Sequence, residues 1–210
     1  VEARTPPLQG ERGFAELRIA FDTILANGGY VTERDGLHVH HDAPEFVRDP
    51  KLIVAAARSW KYNEGVIENL VHPRRHNRGA CPRIPGDFET YDSYNGGYKK
   101  VNPIKHAAKA AKNGRNIADV VQYFPRGALN LGPLTRGQGR ATIEIRLHEG
   151  TLDYDVAEAW IRFGQWFLAR AATGKRVLSC PDPATLLRRL EVEEPIKERL
   201  LARSQQLALA

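Results

Sequence analysis

Hydrophobic positions recur along this chain at two spacings, and the spacing separates helices from strands. Phe14, Leu17, Phe21, Ile24 and Leu25 repeat with a helical period, and Asn27-Gly28-Gly29 stops the run. Tyr30 to Glu33 and Leu37 to His41 read as two short strands turned through Arg34-Asp35-Gly36, an Asp-Gly hairpin signal. A second helix begins near Asp49-Pro50, where proline suits the first turn, with its apolar stripe at Ile53, Ala56, Trp60, Ile67 and Leu70. From His72 to Lys100 no period survives among Pro, Gly, Asn, Tyr and Arg, which predicts a long loop of the kind that is usually functional. Lys105 to Gln122 is weakly helical, broken at Asn113-Gly114, and Ala128 to Leu131 predicts a strand. Thr142 to His148 is the clearest strand, ended by Gly150. An amphipathic helix follows from about Asp153 to Ala171, with Val156, Trp160, Phe163 and Phe167 as its buried face and Asp155 with Glu158 as a capping pair. Pro183 to Leu209 reads as a charged helical tail. Strands mixed with helices predict an α+β fold, an antiparallel sheet with one face under helices and an open polar face opposite.

Composition narrows the setting. With 210 residues, 42% hydrophobic and 27% charged, the chain is long enough for one domain with a sizeable core. No apolar run approaches the ~20 residues that cross a bilayer, and Val1-Glu-Ala-Arg-Thr-Pro-Pro is unlike a signal peptide, so the cytoplasm is the simplest location. The only two cysteines, Cys81 and Cys180, are far apart and each precedes proline, which argues for reduced thiols rather than a zinc knuckle or a disulfide scaffold. A formal charge of +6 favours anionic partners without choosing among nucleic acid, nucleotide and carboxylate. The absence of methionine makes the chain read as a processed product or a fragment.

Two strands carry the candidate chemistry. In Gly36-Leu-His-Val-His-His-Asp42, alternation puts His38, His40 and Asp42 on one face and Leu37, Val39 and His41 on the other. Imidazoles ligate metals and hydrogen-bond phosphate, although a surface strand with incidental histidines gives the same pattern. His41, on the apolar face, reads as structural. In Thr142-Ile-Glu-Ile-Arg-Leu-His148 the faces are Ile143, Ile145 and Leu147 against Thr142, Glu144, Arg146 and His148. A cross-strand ion pair on a solvated sheet would suffice for one such strand. Two of them, each with an aliphatic and an ionisable face, describe an active-site sheet able to hold a divalent ion and a phosphate.

These motifs resemble a known family. Gly36-Leu-His-Val-His is similar to the glycine–x–His–x–His strand of glutamine synthetases, and Thr142-Ile-Glu-Ile-Arg to their Glu-x-Arg strand. Their order, the Gly150-Thr-Leu-Asp153 lead into a Trp-containing helix, and Arg4-Thr-Pro-Pro-Leu-Gln-Gly with Glu2 before it, are closer still to the amidoligase family of bacteria and their phages. The resemblance covers most of residues 1 to 172 and implies a glutamine-synthetase-like catalytic domain over 1–175, with a helical tail over 176–210. It implies an ATP-dependent ligase joining a small-molecule or peptide carboxylate to an amine through an acyl phosphate. Glu2, His38 and Glu144 would ligate magnesium or manganese, and His40 and Arg146 would contact the transferred phosphate. Arg75 or Arg78 would steady phosphate or the substrate carboxylate, and Asn130 matches a recurrent position of unspecified role. A solvated basic loop accounts equally well for Arg75 and Arg78. The family's opening strand, Gly-x-Glu-x-Glu, is missing, which leaves the implied metal site incomplete and makes this stretch an N-terminally truncated, inactive one if it begins at Val1. The substrate's identity, the general base and the oligomeric state stay open.

Two other readings compete. His38-x-His-x-Asp42 resembles the opening of a metallo-β-lactamase motif, but Ala43 stands where that hydrolase family needs His. A nucleic-acid-binding module would use the Tyr- and Arg-rich stretch from 72 to 100, yet no recognised binding motif accompanies it and the charges are dispersed.

Overall fold

The computed structural model describes residues 2–76, 81–92, 97–136 and 140–209. As the sequence pattern predicts, the fold is α+β with a small antiparallel sheet. After an extended start, helix α1 (Gly10–Ala26) precedes strand β1 (Val39–Asp42), the short α2 (Pro44–Arg48) and the long α3 (Pro50–Glu68). Asp49 caps α3 by accepting a hydrogen bond from Lys51 N, with Pro50 in the first turn. A 3₁₀ turn at Pro73–Arg75, a hairpin of β2 (Phe88–Asp92) and β3 (Gly97–Val101), and helices α4 (Pro103–Lys112) and α5 (Ile117–Val121) follow. Strands β4 (Leu129–Asn130) and β5 (Thr142–Ile145) then lead into α6 (Tyr154–Ala172), α7 (Pro183–Arg189) and α8 (Glu194–Ala208).

The three-stranded sheet has the order β1-β5-β4, all pairs antiparallel. Its register sets His40 and Asn130 on either side of Glu144, and Val39 and Leu129 on either side of Ile145. The apolar row faces the main core. Ile143, Ile145 and Leu147 are buried there with Trp60 of α3 and Trp160, Phe163 and Phe167 of α6. The aromatic rings interlock, Trp60 edge-on to Phe167 at 5.3 Å and Trp160 stacked on Phe163 at 5.1 Å. Fully burying side chains of this size is worth about 1.5–3 kcal/mol each, which is why the amphipathic spacing of α3 and α6 was decisive.

Gly164 lets α6 approach the sheet closely. A Cβ at that position would stand 2.4 Å from His41 Nε2 and 3.0 Å from Ile145 Cδ1. A second, smaller cluster joins Phe14, Leu17 and Phe21 of α1 to Tyr154 and Ala157 of α6. The last helices do not hang free: α8 packs along α6, and Arg203 donates to the buried Glu149 at 2.7 Å. Both cysteines are free and buried. No helix among the described residues is long and apolar enough to cross a membrane.

The structure departs from the pattern-based reading in several places. Residues 30–33 form no strand; Asp35 instead accepts hydrogen bonds from the Thr32 backbone N–H and hydroxyl, which satisfies the turn locally. The pairing partner of β1 is the distant β5, not Tyr30–Glu33. Within the expected long loop lie a 3₁₀ turn and the β2–β3 hairpin. The α6 cap is Asp153, whose carboxylate accepts from Val156 N, not an Asp155–Glu158 pair, and Val156 is only half-buried. His148 also leaves the polar row. Beyond Ile145 the chain turns it into the core, where its ring packs against Trp160 at 5.2 Å and Nδ1 bonds the Glu149 carbonyl at 2.7 Å.

Candidate active site

Glu144 is the centre of the polar face, on the middle strand, 5% exposed. An unpaired carboxylate there would be prohibitively desolvated, and its two oxygens are separately engaged. Asn130 Nδ2 donates to Oε2 at 2.6 Å, and Arg146 Nη1 donates to Oε1 at 2.5 Å. The Asn130 amide is itself oriented by Gly132 N, which donates to Oδ1 at 3.1 Å. Burial works to raise the Glu144 carboxyl, but the Asn130 hydrogen bond and the Arg146 charge outweigh it and hold the group below the ordinary carboxylate range.

The imidazoles of His40 in β1 and of His38 just before it converge on the same oxygen. His38 Nδ1 lies 3.6 Å and His40 Nε2 3.7 Å from Glu144 Oε1. Thr142, directly across from Asp42, fixes the His40 ring through a 3.0 Å contact between Oγ1 and Nδ1. His38 faces Arg146, whose Nη1 is 3.4 Å from Nδ1. Burial first, then the charges of Arg146, Arg75 and Arg126, push the His38 pKa down, against an opposing pull from Glu144. That downward shift favours the uncharged ring, which offers one unprotonated nitrogen to a ligand.

Of the other residues expected at the site, Glu2 is exposed on the extended leader, paired with Arg4 at 2.8 Å. Its carboxyl is lowered mainly by that Arg4 hydrogen bond and slightly by His38, which puts the two within electrostatic reach. Arg75 holds the backbone just past β5: Nη2 donates to the Arg146 carbonyl at 2.8 Å and to Cys81 Sγ at 3.0 Å, and Nε to the Leu147 carbonyl at 3.3 Å. Gly36 makes room for it, since a Cβ there would meet the guanidinium at 2.8 Å. Arg75 thus braces the backbone that continues from β5 while contributing positive potential at His38. Arg78 falls outside the described residues. Asp42 is exposed at the far end of β1.

Sequence reasoning missed Thr142 as the His40 anchor, Cys81 as a donor to the Arg146 carbonyl at 3.0 Å, and Arg126 as an exposed cation near His38. Only Thr142 left a signal, because it belongs to the polar alternation of its strand.

The donor types, imidazole beside carboxylate, suit a divalent ion. Ligands about 2.1 Å from one ion stand roughly 3–4 Å from each other, and the two histidine–Glu144 separations lie in that range. As they stand, however, no group of three His, Cys, Asp or Glu side chains among the described residues is poised to hold a metal. The position beside Oε1 is taken by Arg146 Nη1.

Fold and site together define an α+β protein whose central strand holds a buried carboxylate–guanidinium pair beneath two accessible imidazoles. Residues 1–168 match the family described as putative amidoligase enzyme, and the chain belongs to that family. Membership places it among ligases. No curated protein and no solved structure matches it. The match ends within α6, so α7 and α8 lie beyond it.

Proposed function

We propose that the protein uses ATP to join a carboxylate to an amine through an acyl phosphate. The observation that carries this reading is the row His40–Glu144–Asn130 across the sheet, with Arg146 beside it and Arg75 and Arg126 adding positive potential at its edge. One buried carboxylate set among cations suits a polyphosphate better than a neutral ligand.

In the first step a substrate carboxylate oxygen attacks the γ-phosphorus, the P–O bond to ADP breaks, and an acyl phosphate forms. In the second, an amine nitrogen attacks the acyl carbon, inorganic phosphate leaves, and the amine gives up a proton. The guanidinium of Arg146 is placed to accompany the transferring phosphoryl group, and its planar fork matches the phosphoryl oxygens. His40, held by Thr142, presents Nε2 on the same side as a hydrogen-bonding group. Asn130 keeps Glu144 ionised and correctly turned. A bound magnesium or manganese ion would supply neutralisation of phosphate charge, with Glu2, His38 and Glu144 the residues to hold it. Small-molecule or peptide carboxylates and amines are the substrate classes that follow.

The test is ATP turnover with magnesium or manganese and a panel of amino acids and amines, in wild type, His38→Ala and Glu144→Ala. Phosphate release that needs both a carboxylate and an amine and disappears in both variants is the expected result. Release that is indifferent to the amine would refute ligation. Ala43, where the hydrolase motif would need histidine, is fully buried in the core, so that rival gains no support.

A further inference from the structure

The position a divalent ion would take on Glu144 already contains a cation. Arg146 Nη1 sits 2.5 Å from Oε1 and 3.4 Å from His38 Nδ1, and His40 Nε2 is 3.7 Å from the same Oε1. The groups that would surround an ion therefore surround a guanidinium nitrogen instead. Two positive charges cannot share one carboxylate oxygen at contact distance in a buried site without severe repulsion.

The guanidinium is also incompletely satisfied. Arg146 is 5% exposed, and its Nε is buried with no hydrogen-bond partner among the described residues. An orphaned donor on a buried cation is the condition that an incoming anion relieves. The backbone at this residue, by contrast, is pinned on both sides. Arg146 N donates to the Ala128 carbonyl at 2.8 Å, and the Arg146 carbonyl accepts from Arg75 Nη2 at 2.8 Å and Cys81 Sγ at 3.0 Å. His40 is held by Thr142, and Glu144 by Asn130. The hydrogen bonds of the Arg146 side chain among the described residues run only to Glu144 and His38, so it can leave without breaking a backbone contact.

We propose that Arg146 is a resident cation that occupies the ion position on Glu144 in the ligand-free protein and vacates it for an arriving phosphoryl group. Divalent-ion binding then waits for the anion, and the Glu144 carboxylate keeps a positive partner in the resting state. An Arg146 that has swung onto a phosphoryl oxygen frees Oε1, while His38 and His40 keep their places. The two binding events are thereby coupled through one side chain. This deepens the phosphoryl-transfer reading of the site and rests on it.

The experiment titrates manganese alone, followed by electron paramagnetic resonance of the free ion, into wild type, Arg146→Gln and the double variant Arg146→Gln/Glu144→Gln. The same titrations are repeated with inorganic phosphate, after correction for manganese phosphate in solution. Arg146→Gln should bind manganese about tenfold more tightly than wild type, within the usual range for coupled sites. The double variant should lose that gain. Phosphate should tighten manganese binding to wild type by a similar factor and leave Arg146→Gln unchanged.

Equal or weaker manganese binding by Arg146→Gln overturns the proposal, as does manganese binding to wild type that is unaffected by phosphate. The wild-type arm needs no variant, so a misfolded Arg146→Gln leaves the idea open to refutation. Loss of the coupling alongside intact amine-dependent ATP turnover would sink the resident cation and spare the ligase. Absence of turnover as well would sink both.

Discussion

His41 is the imidazole of β1 that points into the core, 8% exposed, against Gly164 of α6, and burial pushes its pKa down to about 4. The ordinary value is 6.5. With the folded pKa below the unfolded one, the neutral ring's contribution is fully present above pH 6.5 and is lost as pH falls towards 4. A displacement of about 2.5 units corresponds to roughly 3.4 kcal/mol over the whole window, at about 1.36 kcal/mol per unit. Between pH 7 and pH 5 the share lost is about 2 kcal/mol. Replacing His41 by leucine removes this titration. It also removes Nε2, which is buried without a partner, so the replacement is expected to be near neutral at pH 7. Urea unfolding of wild type and His41→Leu at the two pH values gives the difference directly. Comparing variant with wild type cancels other groups, among them Glu64, whose pKa is raised by burial to about 7 and which works in the opposite sense. His41→Leu should lose about 2 kcal/mol less than wild type on going from pH 7 to pH 5. An equal loss in both proteins would mean that His41 is not a buried neutral ring, and the packing of β1 against α6 would have to be redrawn.

Gly164→Ala should destabilise by about 1–3 kcal/mol, since the new methyl meets His41 and Ile145, and thermal melts should show a fall of several degrees. An unchanged melting temperature would contradict the close approach of α6. Glu149, buried, is held down to about 2 from 4.5: burial pulls upward, but His148, the His72 N–H and Arg203 prevail. Its stabilisation is therefore present above pH 4.5 and lost as pH falls to about 2, amounting to about 3 kcal/mol. Glu149→Gln should flatten the acid limb of the stability profile measured by urea unfolding from pH 6 to pH 2.5. Asn130→Asp would set a second carboxylate 2.6 Å from Glu144 Oε2, where the amide now donates. It should destabilise by on the order of 2–3 kcal/mol at pH 7 and recover part of this at pH 5, as one of the pair takes a proton; a loss independent of pH would argue against their contact.

The helices were legible because their signal is local. Trp60, Phe163 and Phe167 fall at helical spacing and are the side chains that fill the core. The strands were half legible: alternation identified which residues share a face but not which strands pair. The chain does turn near the Asp-Gly signal, but over Thr32–Asp35, closed by Asp35 N–H to the Thr32 carbonyl and by the Asp35 carboxylate, with Gly36 outside it. Pairing followed the aliphatic face of β5, more than a hundred residues away, which buries more apolar surface than Tyr30 and Val31, both exposed, would have. The site was legible as a set of residue types, through His38, His40, Glu144 and Arg146. Its wiring was not, because the roles of Asn130, Thr142 and Cys81 depend on register and on a crossing segment that no period encodes.

That wiring changes what the polar face can be. The segment from Ile143 to Arg146 is buried on both sides, with Ile143 and Ile145 on one and the Glu144–Arg146 pair on the other. A strand with an aliphatic face alternating with ionisable residues ordinarily lies half in water, and here the ionisable half is covered as well. Access to Glu144 survives at β1, where the His40 side chain is 52% exposed. The exposed imidazoles thus lie on an accessible side of the buried carboxylate. Changes at His38 and His40 fall on exposed or half-exposed positions and should act mainly on binding and turnover, with little effect on folding. Changes at Glu144 or Arg146 break a buried, hydrogen-bonded ion pair and should act on both at once. Loss of activity on changing Glu144 or Arg146 is consequently weak evidence for chemistry unless stability is measured beside it, whereas loss on changing His38 or His40 in a protein that melts normally reports on the site itself.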